Sequence, residues 1–502
     1  MDLPRYDELH VISDLHMGGD RLEFQILRET KRLASFVRWV ADQRPDGRVA
    51  LVLNGDIVDT LAEDTGGYVA VENAAATLER IMNNASFADV WAALADFAKT
   101  PNRTLVLAVG NHDLELGLPP VQRLVIERLA GEDLAARARI EFSTLGAGYA
   151  CRVGSARVFC THGNEVDPWN YVRYEDLSKL ARRLNAGRAL APSEWEPNAG
   201  TKMVKDVMNE VKKRYAWIDL LKPETQAAVG ALVVLDPSQA TKITLLPSIV
   251  AELVRGGREY EGRLSADASA RPRPTTAQAA PIDQLLGANV ARSLKLGGQA
   301  GPRGEGRSAE DMLMDAELNY KTPQARGAAQ DETLGVPRLM FDRLTGWING
   351  VGKDDALRRA LLDWLADDQT FNVGNRDETF VNVTKSVGSG VDIIVTGHTH
   401  LERAIDMGGG RFYFNCGTWI RLLRFTQAML ATRESFAPVY QVLEDGGMSA
   451  IDAATFDGVR FVMNQTSAVR ITADPTGVVG ALGHVDGIDP IVWDEKQRFV
   501  RP

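Results

Sequence analysis

Cysteine is scarce in this chain, and its scarcity removes whole classes of protein. Three cysteines in 502 residues cannot build a disulfide framework. No Cys-x-x-Cys pair is present, which argues against a thiolate zinc site. Cys151, Cys160 and Cys416 read instead as small, reduced core residues. Long hydrophobic runs are also lacking. The apolar stretch near residues 227–235 falls far short of the roughly 20 residues that a membrane span needs. Excess positive charge is missing as well. The net charge of -10 excludes a global basic footprint for nucleic acid, although a local basic face stays open. Residues 1–9 are mostly polar and lead straight into a strand-like run, with no leader pattern. A reduced, cytoplasmic setting is the expectation, with peripheral membrane contact left open. No internal repeat of fixed period is apparent.

What is present is a soluble globular composition, 45% apolar and 25% charged, with enough apolar residues for a sizeable core. Histidine numbers only seven, and five of these fall in short motifs that begin where apolar, strand-like runs stop. In chain order the motifs are Asp14-Leu15-His16, Gly55-Asp56-Ile57-Val58-Asp59, Gly110-Asn111-His112-Asp113, Thr161-His162-Gly163 and Gly397-His398-Thr399-His400.

The runs before them, at residues 9–13, 49–53, 104–109, 156–161 and 391–395, are short and rich in Val, Leu and Ile. Helical patterns alternate with them. Residues 21–43 place Ile26, Leu33, Phe36, Val37 and Val40 on one stripe, and residues 72–99 carry no internal Pro or Gly. Residues 119–129 have proline at the start and Gly131 just past the end. This alternation predicts a layered α/β core. The stretch between His162 and His398 is too long for a loop and reads as an insertion. Amphipathic helices are expected in it at 171–185, 202–221 and 353–368, with a flexible, Gly- and Pro-rich segment over 262–307. Residues 255–307 carry more Lys and Arg than Asp and Glu. The division is then core at 1–165, insertion at 166–385, core again at 386–420, and a C-terminal extension at 421–502, where 460–463 and 469–473 look strand-like.

The motif residues suit a metal site. Side chains two apart on a strand share a face, so Asp14 with His16, and His398 with His400, can each grip one ion. Asp56 follows a glycine that permits close approach and can bridge two cations. Asp59 is placed to orient a ligand from outside. Asn111 offers a neutral oxygen, of the kind hard cations accept. His112, next to Asp113, suits proton donation to a leaving group. His162 ends a strand before a glycine. His10 and His484 have no such neighbours and read as ordinary residues. A nitrogen and oxygen set without sulfur fits Mn²⁺, Fe or Zn²⁺, with Mn²⁺ favoured. A pair of such ions can clamp a phosphoryl group.

As an ordered set, the five motifs resemble the calcineurin-like metallophosphoesterases. The resemblance covers residues 1–165 and 386–420. It implies a four-layer αββα sandwich with a dinuclear metal site. Asp14, His16, Asp56 and His400 would hold one ion, and Asp56, Asn111, His162 and His398 the other. His112 would act as general acid, oriented by Asp113, with a metal-bridging hydroxide as nucleophile. The substrate would be a phosphoester, and a phosphodiester or pyrophosphate before a monoester. Asp14-Leu15-His16-Met17-Gly18 and Asn415-Cys416-Gly417-Thr418-Trp419 look closest to the branch that holds UDP-2,3-diacylglucosamine pyrophosphatases. His162-Gly163-Asn164-Glu165 departs from the His-Gly-Asp common there, and the insertion is longer. Repair nucleases share the motifs, which keeps nucleic acid as a less favoured partner. A metal-bearing scaffold with vestigial activity is the rival from another class.

Overall fold

The computed structural model describes residues 2–63, 67–69, 71–188, 195–221, 352–365 and 371–502. The expected flexible segment at 262–307 and the apolar stretch at 227–235 lie outside the described residues.

The strands, in chain order, are β1 (Arg5–Tyr6), β2 (Glu8–Ile12), β3 (Val49–Asn54), β4 (Arg103–Ala108), β5 (Ile140–Ser143), β6 (Tyr149–Val153), β7 (Ala156–Cys160), β8 (Ile393–Thr396), β9 (Glu402–Gly408), β10 (Arg411–Cys416), β11 (Arg421–Leu423), β12 (Thr455–Phe456), β13 (Val459–Arg460), β14 (Val462–Asn464), β15 (Ser467–Asp474), β16 (Gly477–Gly487) and β17 (Ile491–Arg501). Two sheets dominate. One runs β17-β16-β15-β2-β3-β4-β5 and the other β1-β6-β7-β8-β10-β9. The parallel strands β2, β3 and β4 are buried on both faces, which is why they read as nearly unbroken apolar runs.

Strand alternation sorts these residues. In β3, Leu51 and Leu53 face the helices, whereas Ala50 and Val52 face the second sheet. The inner layer joins Leu9, Val11 and Val106 to Val158, Ile393 and Phe414 of the opposite sheet. Outside the first sheet lie α1 (Thr30–Ala41), α2 (Ala74–Asn83), α3 (Ala88–Lys99) and α4 (Pro119–Ala130). Outside the second lies the helix Glu378–Val387, through Phe380 and Val383 against Ile394 and Tyr413. The result is the αββα sandwich, helices on both outer faces of two packed sheets.

Several elements depart from the sequence expectations. The pattern at 21–43 forms a 3-10 turn at Leu22–Phe24 and becomes α-helical only from Thr30. The 72–99 helix is two, because Asn84 turns extended and its side chain accepts the Ser86 amide. The 202–221 helix is a succession of short α, π and 3-10 turns. Three strands from the C-terminal region join the core sheet, β15 pairing antiparallel with β2.

A second apolar cluster collects Trp169, Met203, Val211, Trp217, Leu357 and Phe436 over Ile26, Ile420 and Leu422. This helical cap unites described parts of the insertion with residues 421–456. It is pinned to the core by Asn209 Nδ2 on the Leu61 carbonyl (3.0 Å), and within the cap Trp217 Nε1 donates to the Leu443 carbonyl (3.0 Å).

Candidate metal centre

All five motifs meet at one end of the sandwich, tied through their backbones. The amides of Asp14 and His16 donate to the carbonyls of Gly55 and Asp56, the Thr60 amide to that of His112, and the Gly397 amide to that of His162. Asp14, His16, Asp56, His398 and His400 all sit at positive φ, between 47° and 69°. L-residues avoid this region, and such strain gathers where backbone must aim a side chain.

Four of the expected ligands converge. One donor atom from each of Asp14, His16, Asp56 and His400 lies within 4.8 Å of the others, all four side chains buried. The His16 and His400 Nε2 atoms are 3.2 Å apart, and His400 Nε2 is 3.3 Å from Asp14 Oδ1. His162 Nε2 joins from the far side of Asp56, 3.3 Å from its Oδ2. His162 Nδ1–H donates to the Asn54 carbonyl (2.7 Å), which orients the ring and leaves Nε2 facing Asp56 as the atom that could bind an ion. Asn111 lies buried, its amide nitrogen 3.4 Å from Asn170 Oδ1. The His398 ring is 5.3 Å from that of His162, and its Nε2 is 2.8 Å from Asp167 Oδ2.

The donor atoms fit a cation. Among the described residues, Asp14 Oδ1, Asn111 Oδ1 and His162 Nε2 are buried without a hydrogen bond. Leaving such atoms unsatisfied costs about 1–3 kcal/mol each unless something binds them. Burial would raise the three carboxyls of Asp14, Asp56 and Asp59. The surrounding imidazoles outweigh it, holding Asp14 at about 2 and the other two well below the usual carboxylate range. Ionised oxygens and imidazole nitrogens in one buried pocket are the ligand chemistry of a divalent metal.

The motif glycines are there for space. A Cβ on Gly110 would run into Asp56 Oδ1, and one on Gly55 would run into the His162 ring.

One expected pairing is corrected. Asp113 follows His112 in the chain, but the carboxylate against the ring is Asp59, with Oδ1 3.1 Å from His112 Nδ1. Adjacent residues in this turn point apart. Asp113 is fully buried and its two oxygens accept the amides of Gly110 and Ile57, at 2.7 Å each. Burial, with Asp56 nearby, pushes its carboxyl up to about 7 despite those amides. Asp59 also lies 3.7 Å from His16, so His16, Asp59 and His112 form a second close group.

Asn54, Asp167, Asn170 and Asn415 carry weight that sequence reasoning did not assign. Asn415 Nδ2 donates to the Gly397 carbonyl (2.7 Å) and supports the last motif from β10. The Asp-Pro-Trp-Asn turn just after His162-Gly163 was the one legible signal, since such turns commonly carry side-chain hydrogen bonds. His10 and His484 lie outside the site, paired with Glu8 (2.7 Å) and Glu402 (2.6 Å). The three cysteines are free and buried, as expected.

A layered α/β sandwich with buried acids and imidazoles at its strand ends supports metal-dependent phosphoester hydrolysis. Residues 9–212 match the family model for calcineurin-like phosphoesterase. No curated protein matches the chain. Among the described residues, no helix is long and apolar enough to cross a membrane.

Proposed function

We propose that the protein hydrolyses a phosphodiester or pyrophosphate, using two divalent cations with Mn²⁺ favoured. Asp14, His16, Asp56 and His400 would hold one ion, and Asp56, Asn111, His162 and His398 the other. When bound, the ions supply positive charge to the phosphoryl oxygens and acidify water for attack. Asp56 lies between the His16 and His162 nitrogens, so its carboxylate is placed to be shared.

His112 carries the preference for a poor leaving group. Its side chain is 18% exposed, at the rim of an otherwise buried cluster. Nδ1–H donates to Asp59, so the ring's other nitrogen is the one to pass a proton to a departing oxygen. Asp59 stabilises the protonated ring and sets its direction. A diester alkoxide needs that proton, whereas an activated aryl oxide leaves without it.

Hydrolysis of bis-p-nitrophenyl phosphate, followed with Mn²⁺ and then with chelator, tests the core of this reading. Chelator-sensitive turnover supports it, and a metal-loaded protein without turnover returns the scaffold alternative. His112→Ala should cost roughly 10²–10⁴-fold on an unactivated diester and far less on the nitrophenyl ester. Equal losses on both would remove the leaving-group role.

A further inference from the structure

His398 and Asn111 stand on different loops, yet a single chain of side-chain hydrogen bonds joins them. Asn111 Nδ2 donates to Asn170 Oδ1 (3.4 Å), Asn170 Nδ2 donates to Asp167 Oδ2 (2.7 Å), and His398 Nε2–H donates to that same oxygen (2.8 Å). Each bond leaves the ligand atom that matters. Asn111 donates through nitrogen and keeps Oδ1, which is buried without a hydrogen bond. His398 donates through Nε2, so its Nδ1 carries the lone pair. Asp167 in turn accepts the Trp169 amide (2.9 Å) through its other oxygen.

We propose that Asp167 and Asn170 are positioning residues that preset Asn111 and His398 as ligands of the second ion, and that the turn bearing them makes this setting depend on the packing of the cap. The proposal rests on the two-ion reading above. The turn is held from the cap side. Trp169 belongs to the cap's apolar cluster, its carbonyl accepts the Gly200 amide (2.8 Å), and Asn198 Nδ2 reaches the Tyr171 carbonyl (3.4 Å). Gly200 is packed so closely that an added Cβ would strike Asn170 Oδ1, the atom that accepts from Asn111. A methyl group in the cap would therefore displace the hydrogen-bond relay of a metal ligand that it never touches.

The full chain, stripped with chelator, is titrated with Mn²⁺ by calorimetry, with electron paramagnetic resonance to detect a coupled ion pair. Wild type is expected to bind two ions. Asp167→Ala, Asn170→Ala and Gly200→Ala should each weaken one of the two sites by roughly 10–100-fold and remove the coupled signal, while the other site keeps its affinity. Asp167→Asn retains an acceptor but no charge and should fall between Ala and wild type. A purely structural role would lower the melting temperature and affect both ions alike. Two ions bound with wild-type affinities in all three variants would overturn the proposal and leave the two-ion reading intact. A wild-type protein that binds a single ion would overturn that reading, and the relay would then stand only if Asp167→Ala weakens that ion.

Discussion

Asp59 Oδ1 lies 3.1 Å from His112 Nδ1 and 3.1 Å from the Ala62 amide, so one oxygen both caps the following 3-10 turn and holds the proposed acid in place. Asp59→Asn keeps the shape and the capping acceptor but removes the charge that favours a protonated ring. Turnover of an unactivated diester should fall by roughly 10²-fold or more, with a smaller loss on an aryl ester, in parallel with His112→Ala. Steady-state kinetics on the substrate pair checks this. An Asp59→Asn enzyme with full diester activity would remove Asp59 from the leaving-group step.

Asp113 should behave differently. Its carboxylate terminates two buried amides, of Gly110 and Ile57, that have no water to turn to. Asp113→Ala should destabilise the protein by about 2–4 kcal/mol, measured by urea unfolding. Whatever activity survives should show the wild-type ratio of diester to aryl ester turnover. A selective diester defect at wild-type stability would return Asp113 to the role that its place beside His112 suggests.

Gly110→Ala tests close approach. The added methyl meets Asp56 Oδ1, the oxygen that accepts the His112 amide (2.9 Å). Asp56 must move, and with it the carboxylate shared by both proposed ions. Metal content after dialysis should fall below wild type, while Gly131→Ala, with open space around its Cβ, should leave metal content unchanged. A fully loaded Gly110→Ala protein would show that Asp56 tolerates displacement.

Glu8 supplies a pH dependence remote from the metal ligands. Burial alone would raise its carboxyl, but the His10 hydrogen bond and Arg470 outweigh it and bring it down to about 2. His10 is itself pushed down by burial, so at neutral pH the acid is held mainly by Arg470 (2.9 Å), Arg44 (3.2 Å) and the imidazole N–H. The folded-state value lies below the ordinary 4.5. The contribution is therefore fully present above pH 4.5 and is lost as pH falls toward 2. Glu8→Gln should cost about 2–3 kcal/mol near neutrality and much less near pH 2.5, flattening the acid limb of the stability curve. An acid limb of unchanged slope would refute it.

The core strands and the gathering of the motif histidines at strand ends were legible in the sequence because both depend on local order. Buried parallel strands must be apolar on both faces, as Val49 to Leu53 are, and a motif glycine must precede a ligand wherever a side chain would collide with it. The break after Asn83 was not legible, since helical spacing persists through it and only the Asn84 side chain diverts the backbone. The C-terminal strands were only partly so. β17, with many exposed polar residues along an edge, carries little apolar pattern to announce it.

By itself the sequence determined which acids, amides and imidazoles stand at strand ends. Such groups together suit a divalent cation. Only tertiary structure decided which groups serve which. His112 is paired with Asp59 rather than its chain neighbour, because consecutive residues in a tight turn point in different directions while distant loops converge. Asp167 and Asn170 became part of the ligand set's support for the same reason. Hydrogen-bond partners are chosen by distance in space, and nothing in local spacing records that Asn111, Asn170, Asp167 and His398 form one continuous line.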